Sequence, residues 1–317
     1  MMKKALLLVF LTACFASGAI TLPNTNLGAC SLFPKNNVWN ARIDKLPVDK
    51  NSNAYISSIG AGVGLHSDFG SGLYERKPIG IPFVVVPANQ AGVSVSFEYD
   101  DQSDHALYPI PKNPPIEGGA TSSGDRHVLV VRQGECKLYE LYSAFPNTDG
   151  SWRAGSGAIW DLKSNALRPS TWTSADAAGL PILPGLVRHD EVAAGVIAHA
   201  IRFTAQTTQT AFVWAARHQA GASSDTKLPP MGARFRLKAS VDTSSFPKDM
   251  RVILQALKTY GLILADNGSN WYVSGTQDEA WDNDILSSIS KVKGSDFEAV
   301  DISSLLVNVD SGEAKSQ

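Results

Sequence analysis

The stretch HVLVVRQGECKLYELY, residues 127–142, reads as two β-strands joined by a tight turn, and it decides the class of the fold. Val, Leu and Tyr dominate both arms, and Gln133-Gly134-Glu135 supplies the turn between them. Side chains alternate across a strand, so His127 shares a face with Leu129 and Val131. By the same rule Glu140 shares a face with Cys136, Leu138 and Tyr142. An ionisable group among apolar and aromatic neighbours needs a partner or suffers a large desolvation penalty. Both residues are therefore candidates for chemistry.

Outward from this hairpin, β-rich runs recur at residues 81–86, 93–99, 196–204, 210–215 and 233–239. Turn signals separate them, with 26 Gly and 17 Pro spread along the chain instead of gathered in one linker. Many short strands so punctuated predict a mainly β fold, a β-sandwich or jelly roll. Two helices are expected early and late, at residues 51–59 and 247–260. In the second, Met250, Ile253, Leu254 and Leu257 trace one face, Asp249 complements the first turn, and Gly261 marks the stop. LILADNGSNWYVSG, residues 262–275, reads as a hairpin around Asn267-Gly268, and Trp281, Ile285 and Ile289 suggest a further helix. The expected organisation is an export signal at residues 1–19, a β-rich domain at 20–240, a smaller α+β extension packed on it at 241–310, and a disordered tail at 311–317.

The N-terminus bears on the compartment. Lys3 and Lys4 precede an apolar run at residues 5–11 that is too short to span a bilayer. Leu11-Thr12-Ala13-Cys14 resembles a lipobox, with Cys14 the lipidation site; the small residues at 16–19 offer ordinary signal-peptidase cleavage instead. Either route predicts an exported protein: periplasmic, anchored to the outer membrane, or secreted. Cys30 and Cys136 then remain as an even pair, which in an oxidising compartment predicts one disulfide; two buried free thiols are the alternative. A net charge of −2 and a pI near 6.3 exclude nucleic acid or an anionic membrane surface as the main partner. Contact with a membrane is left to the lipid anchor. No Gly-rich phosphate loop, HExxH, GxSxG or EF-hand loop occurs, which removes nucleotide-using enzymes, zincins and α/β-hydrolases.

Residues 186–203, LVRHDEVAAGVIAHAIRF, pack Arg188, His189, Asp190 and Glu191 together before a run that leads to His199. This is either an acid/base site or a charged turn that caps the next element. If residues 196–204 form one strand, His199, Ile201 and Phe203 share its apolar face, and Arg202 and Thr204 the other. Arg and His adjoin three times, at Arg126-His127, Arg188-His189 and Arg217-His218, and His218 shares a strand face with Trp214. On one concave sheet, Glu140, His127, His199 and His218 would form a polar island.

Such an island suits a glycoside hydrolase, which needs two carboxyl groups flanking the bond. Glu140 supplies one, and Asp190, Glu191 or Asp161 the other. It also suits a lyase of uronate polysaccharides, with Arg126 and Arg188 neutralising the sugar carboxylate and Tyr142 or a His moving the proton. The expected catalytic set is thus Glu140, His127, Asp190, Glu191, His199 and His218. The expected substrate-binding set is Arg126, Arg188, Trp214, Asp161 and the loop pair His66 and Asp68. No cofactor is expected; a metal held by His127, His199, His218 and Glu140 is a minor alternative, since the HxH of strand-built metal centres is missing. The partner expected is a polysaccharide or glycan, and a non-catalytic glycan-binding envelope protein is the rival class.

Several segments carry a resemblance: CSLFPKNNVWNARIDKLPVD (30–49), DRHVLVV (125–131), CKLYELYSA (136–144) and SNALRPSTWTSADAAGLPILPGLVRHDEVAAGVIAHAIRFT (164–204). Together with LPPMGARFRLKAS (228–240) and ADNGSNWYVSG (265–275), they resemble a family of exported bacterial proteins over nearly the whole mature chain. The resemblance implies export and a single folding unit, and it lends no catalytic residues.

Overall fold

A computed structural model describes residues 27–315; the export signal and Cys14 lie outside them. The architecture is mainly β, with two principal sheets and a few short helices. The hairpin forms as the sequence predicts, from Val128–Arg132 and Lys137–Tyr142. It is the centre of a four-stranded sheet, flanked by Ser156–Asp161 on one side and Phe83–Val86 on the other. One face of this sheet carries Val128, Val130, Tyr139 and Leu141, which pack with Tyr108, Trp152 and Ala154 in a core of their own. The other face sends Leu129, Val131, Leu138 and Trp160 into the main core. The two-residue period of the sequence is thus written into two separate cores.

The second sheet has six strands, in the order His66–Asp68, Tyr272–Ser274, Ile201–Ala205, Leu262–Asn267, Arg234–Leu237 and Phe297–Val300. Its strands come from both sides of residue 240, so the segment beyond that position contributes half of the same sheet. The hairpin expected at residues 262–275 does not form. Ile201–Ala205 inserts between its arms, parallel to Leu262–Asn267 and antiparallel to Tyr272–Ser274. Residues 262–265 are buried on both faces, which suits a central strand with neighbours on each side.

Other expectations shift. The strand expected at residues 196–204 begins only at Ile201, because Gly195 ends the helix His189–Ala194 with a left-handed φ of 84° and a bend follows. Residues 210–215 are a packed loop touching the sheet region through a single Phe212–Met231 bridge. The late helix, Lys248–Thr259, buries Met250, Ile253, Leu254 and Leu257 as its pattern predicts, and Ser52–Ile59 and Asn283–Ser287 fall where helices are expected. Residues 311–315 are tied down and not free as expected, since Gly312 and Ala314 donate backbone hydrogen bonds to Asn165 and Asn36.

A disulfide joins Cys30 to Cys136 across 106 residues and pins the N-terminal segment to the turn of the hairpin. Among the described residues, no helix is long and apolar enough to cross a membrane.

Candidate active site

Polar residues gather on one face of the six-stranded sheet. His66 pairs with Tyr272 and Asp68 with Ser274, while Thr204 pairs with Tyr272. Strand alternation therefore sets His66, Asp68, Tyr272, Ser274, Arg202 and Thr204 on the same side, opposite Phe203 and Val273. The rings of His66 and Tyr272 stack at 4.2 Å. A β-bulge adds the decisive group. Phe203 pairs with Leu264 but Thr204 pairs with Asp266, so Ala265 is the extra residue. Without it Asp266 would follow Leu264 into the core; with it the carboxyl joins the polar face.

Arg202 is the anchor of this face and is only 4% exposed. Its Nε and Nη2 donate to the two oxygens of Asp176 at 3.1 and 2.9 Å, and Nη1 donates to Ser274 Oγ at 2.7 Å. Asp266 Oδ2 lies 3.7 Å from Nη2. Burial, followed by the charge of Asp176, pushes the Asp266 carboxyl up to about 7 against the pull of Arg202. Asp176 itself is held by the turn at residues 174–179, where Ser174 Oγ accepts the Asp176 amide at 2.9 Å.

The four-stranded sheet supplies the facing wall. His127 Nδ1 and Glu117 Oε2 are 2.6 Å apart, and His127 Nε2 is 3.0 Å from the Ala175 carbonyl. Both partners accept, so both ring nitrogens donate. Burial alone would lower the His127 pKa, but the Glu117 carboxylate outweighs it and raises it to about 9. Asp125 is exposed beside this pair, and the ligand atoms of Glu117, Asp125 and His127 all lie within 4.8 Å of one another.

Between the walls opens a cleft of about 350 Å³. Asp125, Asp266, His218, Tyr99, Tyr142 and Gln102 line it. The Tyr142 hydroxyl is pushed upward by burial and then by the charges of Asp125, Tyr99 and Asp266. His218 Nδ1 donates to the Ala177 carbonyl at 2.9 Å, so in the neutral ring Nε2 keeps its lone pair.

The expected island does not assemble. Glu140 is 0% exposed, and its two oxygens accept from the Ile182 and Leu183 amides and the Trp160 indole at 2.9–3.0 Å. It anchors the turn Leu183–Gly185 from inside the core, and the expectation of a catalytic Glu140 is corrected accordingly. His199 lies elsewhere, with Nε2 3.0 Å from Glu191 and Nδ1 2.7 Å from the Ala200 carbonyl. Arg188 joins the same group through Glu191 at 2.8 Å and Asp190 at 3.3 Å. The His-Asp-Glu cluster is therefore a helix start that clasps Arg188 and His199, the charged-turn alternative. His127, His199, His218 and Glu140 each keep separate partners, so the metal set expected of them does not converge.

Of the remaining expected residues, Arg126 spends its guanidinium on the carbonyls of Ala120, Ser122 and Ala144 and stacks 4.2 Å from the Phe145 ring. Asp161 is exposed and caps the Lys163 amide, and Trp214 donates its indole N–H to the Ser311 carbonyl at 2.7 Å. His66 and Asp68 lie on the polar face of the six-stranded sheet but outside the lining of the cleft, with Asp68 within electrostatic reach of Glu117, Asp125 and Arg202. The residues that sequence reasoning missed are Asp176, Asp266, Glu117 and Asp125. Arg202 was visible on the polar side of its strand, and Asp125 adjoins Arg126-His127. No sequence signal marks Asp266, because the bulge that turns it is a tertiary feature.

Comparison with protein-family models, curated proteins and solved structures finds no match to this chain. The functional reading therefore stands on the geometry of the cleft.

Proposed function

We propose that the protein is an exported glycoside hydrolase that cleaves a polysaccharide in this cleft, with Asp266 as the proton donor and Asp125 as the opposing carboxylate. The observation that carries this reading is the presence of two carboxyls on the lining of a single open cleft, Asp266 from a strand of the six-stranded sheet and Asp125 from the loop that leads into the hairpin. Glycosidic cleavage needs that division of labour: an acid that protonates the leaving oxygen, and a carboxylate that activates water or attacks the sugar carbon. Burial beside Asp176 favours a proton on Asp266 near neutral pH, whereas Asp125 is exposed to solvent. Tyr99 and Tyr142 offer aromatic faces for a sugar ring, and Gln102 and Asn267 offer amides for its hydroxyls. The cleft is at the small end of ligand-site volumes, which suits one short segment of a glycan.

A neutral glycan is favoured over a uronate. Arg126, Arg188 and Arg217, the cations a lyase would need, are engaged by carbonyls or by Asp190, Glu191 and Asp310. Arg202 is neutralised by Asp176. The leader-like N-terminus and the Cys30–Cys136 bond support export.

The test is mass spectrometry of products after incubation of the mature protein with neutral and uronate-containing polysaccharides. Products with one added water per cut, lost in Asp266→Asn, are expected. Unsaturated products would turn the reading to a lyase, and binding without products to a glycan-binding protein.

A further inference from the structure

We propose that Arg126 is a positioning residue, a buried clamp that holds Asp125 and Tyr142 in place on the lining of the cleft. The proposal rests on the hydrolytic reading, in which Asp125 does the chemistry and Arg126 acts only through it. Arg126 is 2% exposed and does not line the cleft, whereas Asp125, its neighbour in the chain, does.

Three carbonyls fix the guanidinium. Nη1 donates to Ala120 and to Ser122 at 2.9 Å each, within the loop that leads into the hairpin. Nε donates to Ala144 at 3.0 Å, just past the second strand of that hairpin. One side chain thus ties the loop to the strand end. The backbone continues the tie: the Ser143 N–H donates to the Asp125 carbonyl at 2.7 Å, and the Ala144 N–H to the Arg126 carbonyl at 3.3 Å.

The chain turns sharply at both points. Arg126 and Ser143 each have a φ of 52°, in the left-handed region that persists for residues with a Cβ only where the surroundings over-determine it. Each lies one residue past a member of the cleft lining, so the same bracing sets where Asp125 and Tyr142 leave the backbone. The choice of arginine agrees with this role. Its hydrogen-bond partners are neutral carbonyls, and the Phe145 ring, 4.2 Å away, is shared with Arg153. A buried cation so placed is costly to desolvate. What it supplies is direction, a rigid fork of donors that the single ammonium of lysine cannot spread over the same three carbonyls.

The experiment compares Arg126→Lys and Arg126→Met with Arg153→Met, which removes the other guanidinium on Phe145 and none of the three carbonyl bonds. Without substrate, hydrogen exchange of the Ser143 amide reads the tie to Asp125. It should quicken at least about tenfold in both Arg126 variants and stay as in the wild type in Arg153→Met. On a glycan that the wild type cuts, kcat per folded molecule should fall about 10- to 100-fold, with KM within about twofold. A displacement of about 1 Å costs the chemical step, while the other lining residues still bind. A merely structural loss would lower the midpoint and the folded fraction without this split. Arg126→Lys keeps the charge and the stem, so the test stands even where Arg126→Met fails to fold. Unchanged exchange at Ser143, equal quickening in Arg153→Met, or quickened exchange with kcat intact would overturn the proposal. A wild type that cuts no glycan would refute the hydrolytic reading, and the exchange result would still decide whether Arg126 holds Asp125 in place.

Discussion

Asp266→Asn separates a carboxyl poised for chemistry from one that merely stabilises Arg202, and it does so without a known substrate. Folding raises this group from 3.8 to about 7, a difference of about 3 pH units. At about 1.36 kcal/mol per unit, the ceiling on its stability effect is about 4 kcal/mol. The side chain is 23% exposed and faces Arg202 at 3.7 Å, so roughly half of that survives, about 2 kcal/mol. The sign follows from the raised value. Stability from the bound proton is fully present below pH about 4 and is lost as the pH rises through about 7. Asparagine keeps an oxygen for the Asn267 amide, which Asp266 Oδ1 accepts at 2.7 Å, and carries no charge to desolvate. The variant should therefore match the wild type near pH 4 and exceed it at pH 8, by about 4–8 °C in thermal midpoint. Scanning calorimetry across that range reads the difference. A variant less stable than the wild type at pH 8 would refute the reasoning, because it would make the carboxylate a favourable partner of Arg202.

Glu140→Ala strips acceptors from three buried N–H donors at about 1–3 kcal/mol each, so it should lower the midpoint by at least about 6 °C; a change within about 2 °C would contradict the anchoring role. Arg202→Met leaves Asp176 unpaired in the core and should destabilise by about 3–5 kcal/mol in denaturant melts, with much of the loss recovered by adding Asp176→Asn; equal losses in the single and double variants would argue against the pair. Reduction of Cys30–Cys136 releases a long loop and should remove up to about 4–5 kcal/mol, while a Cys30→Ser/Cys136→Ser double variant should show no response to reductant in the same melt. Glycan cleavage, once a substrate is found, should decline as the pH rises through about 7, with the proton on Asp266; a rate that climbs steadily above pH 7 would assign the acid elsewhere.

Local pattern carried much of the architecture. The hairpin at residues 127–142, its turn, and the assignment of Leu129, Val131 and Leu138 to one core follow from alternation alone, because strand geometry has a period of two whatever the strand packs against. The Lys248–Thr259 helix is legible for the corresponding reason at 3.6 residues per turn. The even pair Cys30 and Cys136 is legible by counting. Burial of Glu140 is also implied by its strand, but its role is not: the donors that hold it come from residues 160, 182 and 183, which only folding brings to it. The cleft depends on tertiary structure still more. Asp176 sits on a turn with no periodic signal, Asp266 reaches the polar face through a bulge created by its pairing with Ile201–Ala205, and Glu117 meets His127 across a loop. Sequence alone determined which residues alternate, coil and pair locally. Only the meeting of the two sheets decided which charges face each other, because desolvation and Coulomb attraction act on distances in space that spacing along the chain does not record.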